Sequence, residues 1–437
     1  MFSVRRLLRS AQCLQTSHPS FRHVHVDLKK TLQSSLENYT DLKLFPQRIS
    51  NCGFGRSFTN TFVDYEDYVG PNENALFHVQ FSSVFKRGFD CLKQYLRNDV
   101  GLFDNFHLDG VSNDDRDHFH ALTALRIFLE KLAFHESSLK SSQRNVFDGK
   151  REGEIAALLS NHLLSCLVYG NKYLISNTYQ KQPSQCPCLN PIQCMEHIPY
   201  GETGLGHDKL WYGHPGIVLI PEDPPDYIPI MVYEEILYDD DDDYDGVGQE
   251  RNIKENKENS KEKCDFESED MHFDKCAEQI FSQAITFAFH RWNVMNDSCI
   301  QPVSTLIPSL VLTPSKYYIV MYDYMNDILL SSSHQCCSWW DDSDLKFNMS
   351  AVLQMWMVLN YVDFVPALSQ KTEHVLAGSS SFHNILKTKH LFQKTKLISR
   401  KSTFKSSRKC RGLFNKEDNI DLDEEAQYNI KFSSITT

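Results

Sequence analysis

Between Asp239 and Asp274 the chain carries fifteen acids and five bases, with hardly any aliphatic side chains. Such a stretch cannot bury enough apolar surface to offset the entropy of ordering it. It reads as a disordered surface insertion. That constrains the fold more than any other feature, because the apolar runs on either side then belong to one domain interrupted at its surface. The rest of the chain has the means to build such a domain. Of 437 residues, 41% are hydrophobic and 12% aromatic, enough to fill a sizeable core and to exclude wholesale disorder. Gly and Pro are scarce, which excludes collagen-like and low-complexity architectures. No internal repeat of solenoid period is visible.

The flanking elements can be read from periodicity. A helix is expected from about Glu152 to Tyr173, where Ile155, Leu158, Leu159, Leu163, Cys166, Leu167 and Tyr169 recur at helical spacing. After a Pro-rich loop come two strand-like runs, Ile217 to Ile220 and Ile228 to Tyr233, joined by a turn on Pro221, Pro224 and Pro225. Beyond the acidic block lie a helix from about Lys275 to Trp292, strands Thr305 to Leu312 and Tyr317 to Tyr324, and an apolar helix from Ala351 to Val362. Helix, strand, strand, helix, strand, strand is the order of an α/β fold with a mixed sheet flanked by helices. Residues 151–368 are therefore assigned to this domain, with 239–274 as its insertion. Residues 27–150 read as a mainly helical N-terminal region. Its two clear apolar stripes run from Phe85 to Leu96 and from Phe119 to Leu132, with a loop from Asn98 to Asp117 between them. Residues 369–437 read as a disordered tail.

Polar residues sit at particular ends of these elements. Glu154 opens the first helix. Tyr212-Gly213-His214-Pro215-Gly216 opens a strand, and Glu234 and Glu235 close the next one. Gln279 and Gln283 lie one turn apart on the following helix. The layout resembles the PD-(D/E)XK, or restriction-endonuclease-like, nuclease superfamily. "GHPGIVLI" is similar to that family's strand opening with Pro-Asp, "IPIMVYEEI" to its strand ending in Asp/Glu-x-Lys, and "EQIFSQAITFAF" to the helix that follows. The resemblance covers residues 150–330. It implies Glu154 and Glu234 as metal ligands, Glu235 as substitute and Gln283 as a positioning residue. In that chemistry Mg²⁺, held by carboxylates, polarises a phosphodiester and activates the attacking water. Two central positions depart from the pattern. Gly216 stands where the metal-binding Asp belongs, and Ile236 (or Leu237) stands where the Lys belongs. Asp223 or Asp226 in the intervening turn can supply a migrated carboxylate. The expectation is a nuclease-like protein with a degenerate active site that binds nucleic acid or a protein partner. The alternative is a non-enzymatic interaction protein docking through its acidic insertion and basic tail.

Other features point elsewhere with less force. Cys186, Cys188, Cys194 and His197 form a Cys-x-Cys-x5-Cys-x2-His cluster of soft ligands suited to Zn²⁺. The Cys-x-Cys start falls outside the usual spacing, so an unliganded loop with free thiols is expected. His334, Cys336 and Cys337 make a weaker set. The Asp239 to Asp243 run lacks the spaced ligands of a calcium loop and reads as a solvated charge block. Phosphate-loop, dinucleotide-binding and nucleophile-elbow motifs are absent from the sequence.

Thirteen cysteines, an odd number scattered from Cys13 to Cys410, suit a reducing intracellular compartment. Residues 1–26 hold Arg5, Arg6, Arg9 and Arg22 and no acid. That is the composition of a mitochondrial transit peptide; a frayed basic tail is the other reading. The most apolar stretch, Ala351 to Leu368, is interrupted by Gln354, Asn360 and Asp363, so no membrane span is expected. The net charge of −12 conceals opposed blocks. The acidic insertion carries −10, while Lys387 to Lys416 holds eleven Lys or Arg and no acid. The basic segment, interspersed with Phe392, Phe404 and Phe414, can contact phosphates and stack on bases.

Overall fold

The computed structural model describes residues 20–70, 77–97, 113–143, 152–170, 172–188, 194, 196–220, 228–232, 267–297, 304–313, 315–335, 337–341 and 346–388. Helix α1 (Ser20–Glu37) precedes strands β1 (Lys43–Gly53), β2 (Arg56–Ser57), β3 (Phe62–Asp67) and β4 (Val79–Gln80). Helices α2 (Phe81–Val84), α3 (Lys86–Arg97), α4 (Asn113–Glu130), α5 (Leu132–Gln143) and α6 (Glu152–Leu159) follow. From α6 a π-helical turn (Ser160–Leu164) and a 3-10 turn (Ser165–Leu167) lead to β5 (Lys172–Ser176). Next come β6 (Tyr200–Gly201), β7 (Leu205–Gly206), β8 (Trp211–Gly213), β9 (Ile217–Ile220) and β10 (Ile228–Val232). The long helix α7 (Glu267–Asp297) leads to β11 (Leu306–Leu312), β12 (Lys316–Asp323) and β13 (Ile328–Ser331). The last helices are α8 (Met349–Leu359), α9 (Tyr361–Phe364), α10 (Gln370–Leu376) and α11 (Phe382–Thr388).

One large mixed sheet organises these elements, in the order β3-β1-β13-β12-β11-β10-β9-β5-β6. β10 and β11 are parallel, as are β5 and β6; the other neighbours on this path are antiparallel. A parallel pair needs a crossover connection, and α7 lies in the one between β10 and β11. Every residue of β11 is buried, and so is β12 from Tyr317 onward. Strands covered on both faces read as continuous apolar runs rather than alternating ones. Adjacent residues of β12 show what covers them. The Tyr317 hydroxyl bonds Gln354 of α8. The Tyr318 ring packs at 5.0 Å on Phe273 of α7. Since neighbouring side chains point to opposite faces of a sheet, α7 and α8 cover opposite faces. Each fully buried Leu, Ile or Phe in these layers contributes roughly 1.5–3 kcal/mol.

Four expectations are corrected. The helix starting at Glu152 does not reach Tyr173; the chain leaves it at Leu167, turns at Gly170 (φ 92°) and enters β5. Residues 27–150 hold more helix than strand among their described residues, but they are no extension apart from the domain, because β1 and β3 join the large sheet. Residues 370–388, expected within a disordered tail, form α10 and α11, with Leu376, Phe382 and Leu386 buried. The Ser380 carbonyl accepts from Ile49 N–H at 2.8 Å and ties this segment to β1. Finally, residues 267–274 of the expected insertion belong to α7, whose Phe273 is buried. Residues 239–266, 1–19 and 389–437 lie outside the described residues. No described helix is long and apolar enough to cross a membrane.

Candidate functional site

Register brings three strand termini together at one end of the sheet. Ile217 of β9 pairs with both Ile230 of β10 and Ile175 of β5. The start of β9 therefore lies beside the ends of β5 and β10. Pro215 and Gly216 lead into this end, and Ser176 N–H donates to the Gly216 carbonyl at 2.9 Å.

Helix α6 presents its first turn, Glu152-Gly153-Glu154, to the chain leaving β5. Acids are favoured there by the helix dipole. Gly153 is needed for close approach: a Cβ built on it would lie 2.0 Å from the Lys181 carbonyl oxygen. The crossing brings Lys181 Nζ to 2.5 Å from Glu154 Oε1. Burial raises the Glu152 carboxyl above its ordinary value. On the β6 side Glu202 Oε1 lies 2.9 Å from His214 Nδ1, and Thr203 Oγ1 donates to the Pro215 carbonyl at 2.7 Å. Two acid–base pairs, Glu154–Lys181 and Glu202–His214, thus line this end. Neither Lys181 nor the Glu202–His214 pair carries a recognisable spacing in the sequence.

Glu154 and Gly216 are the sequence-predicted positions found at this end. Glu234 and Glu235 follow the last described residue of β10, and they lie outside the described residues together with Asp223 and Asp226. Gln283 is buried midway along α7, on the other side of the sheet from α8, and its Oε1 has no hydrogen-bond partner among the described residues. Gln279, one turn earlier, is only partly buried.

A second constellation lies farther along the same helix. His162, Cys186, Cys188 and Cys194 are all buried, and their ligand atoms lie within 4.8 Å of one another. Cys186 Sγ is 3.3 Å from His162 Nε2. All three cysteines are free of disulfides. His162 stands on the π-helical turn, where one extra residue per turn shifts the face that side chains present; such turns occur frequently at functional sites. The cysteines come from the loop between β5 and β6. That loop is closed by Cys186 N–H to the Glu196 carbonyl at 3.0 Å and Ile198 N–H to the Ser184 carbonyl at 3.2 Å. Asn161 Nδ2 donates to Cys194 Sγ at 3.0 Å. Burial pushes His162 down to about 4 and the Cys186 thiol well up.

The expected fourth member, His197, is not part of this group. It is exposed, and its backbone bridges Gln185. His162 takes its place from 24 positions before Cys186, inside a helix read as apolar periodicity. His334, from the weaker set, lies 2.7 Å from Asp67. Comparison with protein-family models, curated proteins and solved structures yields no match.

Proposed function

We propose that this chain is a PD-(D/E)XK nuclease-like protein with a degenerate catalytic set, which binds nucleic acid or a protein partner, with weak or absent metal-dependent cleavage. One observation carries this reading. The order α6, β5, β9, β10, α7, β11 holds β9 antiparallel and β11 parallel to β10, and the register sets Pro215–Gly216 at the sheet end toward which β10 runs. Glu154 approaches the same end from α6, through its pair with Lys181 on the chain leaving β5. That is the arrangement in which the resembling motifs would meet.

Degeneracy follows from the residues themselves. A divalent cation for phosphodiester hydrolysis prefers oxygen ligands, usually one or two carboxylates plus waters. Gly216 offers no carboxylate, and Glu154 is paired with Lys181. Ile236 cannot stabilise developing charge. Of the motif acids, only Glu154 lies among the described residues.

The test is the full chain incubated with end-labelled single- and double-stranded DNA and RNA in Mg²⁺ or Mn²⁺, beside Glu234→Ala and Glu154→Ala. Retention of a labelled strand without product is the expected result. Cleavage that disappears in Glu234→Ala would overturn the degenerate reading. Absence of binding to every nucleic acid would leave the protein-docking alternative.

A further inference from the structure

We propose that His162, Cys186, Cys188 and Cys194 form a closed tetrahedral Zn²⁺ site that fastens the β5–β6 loop onto helix α6. The proposal stands apart from the nuclease-like reading and rests on donor chemistry, spacing and connectivity.

The donors are three sulfurs and one imidazole nitrogen, the soft and borderline set that selects Zn²⁺ over Mg²⁺ or Ca²⁺. With Zn–S near 2.3 Å and Zn–N near 2.0–2.1 Å, a tetrahedron has edges of about 3.6–3.8 Å. The observed atoms, mutually within 4.8 Å and with one S···N contact of 3.3 Å, already sit close to such edges. A polynuclear iron–sulfur cluster would hold its ligands farther apart. All four donors are buried, so no coordination position opens to water, as in structural rather than catalytic zinc sites.

Hydrogen bonds around the sulfurs point the same way. Asn161 donates to Cys194 Sγ, and both the Cys188 N–H and the Asn161 side chain lie against the Cys186 sulfur. N–H groups aimed at buried sulfurs are the outer-shell partners of metal thiolates. A disulfide satisfies only two of three cysteines, and none is formed.

Sequence-local structure delivers each ligand. Cys186 and Cys188 are separated by Pro187, the alternation that sets two side chains on one side of an extended segment. The backbone bridge between Ser184 and Ile198 returns the loop so that Cys194 meets them. The π-helical turn supplies His162. This loop carries few aliphatic residues, so metal binding supplies ordering that apolar burial cannot. One consequence reaches the sheet end: the same loop carries Lys181, which the clamp holds against Glu154.

The test uses the full chain expressed with zinc and freed of loose metal. About one zinc per chain by elemental analysis, with three sulfurs and one nitrogen in the zinc X-ray absorption spectrum, is expected. Competition with a chromogenic chelator should show His162→Ala weakening zinc by at least about tenfold, with His162→Cys restoring it and His197→Ala matching wild type. Should His162→Ala fail to fold, wild type alone decides by alkylation mapped with mass spectrometry. Cys186, Cys188 and Cys194 should resist modification until chelator is added. A folded, zinc-free chain overturns the site, and so do three cysteines that alkylate alike with and without chelator. Zinc retained in His162→Ala but lost in His197→Ala overturns the assignment of the fourth ligand.

Discussion

Gly153 occupies a place where chemistry leaves room for hydrogen alone. The Lys181 carbonyl would meet an added methyl at 2.0 Å, and both partners are backbone, so neither can rotate aside. Gly153→Ala should therefore force α6 and the chain leaving β5 apart, costing about 1–3 kcal/mol as overpacking does. A urea titration followed by circular dichroism measures this as a lowered midpoint. An unchanged midpoint would show that the crossing is looser than the geometry states. Legibility at this scale was uneven. Glu154 was visible as a first-turn helix acid, but its partner Lys181 was not, because a side chain 27 positions away carries no spacing signal. His162 was hidden for a different reason. A polar residue inside an apolar helical run looks like an ordinary surface position unless the helix changes phase, and the π-helical turn does that here.

Among the elements, α7 carries a titration built into its buried face. His290 is buried, and desolvation, with the adjacent Arg291 charge second, pushes its imidazole down to about 3. The unfolded chain regains an ordinary value near 6.5. Below about pH 6.5 the unfolded state thus binds a proton that the folded state refuses, and stability falls as pH drops toward 3. The limiting slope is about 1.4 kcal/mol per pH unit for one such histidine. Urea midpoints between pH 7 and pH 4 should fall less steeply in His290→Leu than in wild type. Parallel curves would mean that His290 accepts its proton in the folded state.

The same scale explains which elements periodicity revealed. β11 and β12 were legible because both faces are covered and their residues are almost uniformly apolar. β1 was not. It lies between β3 and β13, yet it contains Pro46, Arg48 and Asn51, and proline argues against an interior strand. Proline lacks only the N–H donor, and the Pro46 carbonyl still accepts from Tyr68 N–H at 2.9 Å. β5 was lost at the join, where Leu167 ends one periodicity and Lys172 starts another.

For the whole molecule, composition misplaced a boundary that packing corrects. The turn polar after Ser369 marks the start of α10, not the end of the fold. Ser369 caps that helix by accepting from Thr372 N–H. Asp327, in the turn between β12 and β13, accepts from the Ser380 hydroxyl, from Tyr322 OH at 2.9 Å and from His383 N–H at 3.1 Å. A chain truncated after residue 369 loses two of these donors and the Ser380–Ile49 bond, leaving a buried carboxylate with fewer partners. It should melt well below a chain truncated after residue 388, by differential scanning fluorimetry. Equal melting temperatures would place 370–388 outside the cooperative unit.

Charge at this scale decides where nucleic acid can be held. Among the described residues at the sheet end, Lys181 sits beside Glu154 and His214 beside Glu202, so neither stands apart from an acid. Outside the acidic and basic blocks the chain carries −13. If the chain binds nucleic acid as proposed, the eleven Lys and Arg of Lys387 to Lys416 are the groups expected to contact phosphate. Binding of this kind releases counterions, so the logarithm of the association constant should fall linearly with the logarithm of salt, by about 0.7 for each phosphate neutralised on a single strand. Fluorescence anisotropy with a labelled oligonucleotide across a salt series gives the slope. Deleting residues 389–437 preserves α10 and α11 while removing all but one of the basic residues of that block, and should abolish both the binding and its salt dependence. If the truncated chain keeps the wild-type slope, the contact belongs to the folded domain and the sheet end becomes its candidate location. If the full chain shows no salt dependence at all, phosphate recognition through the basic segment is refuted.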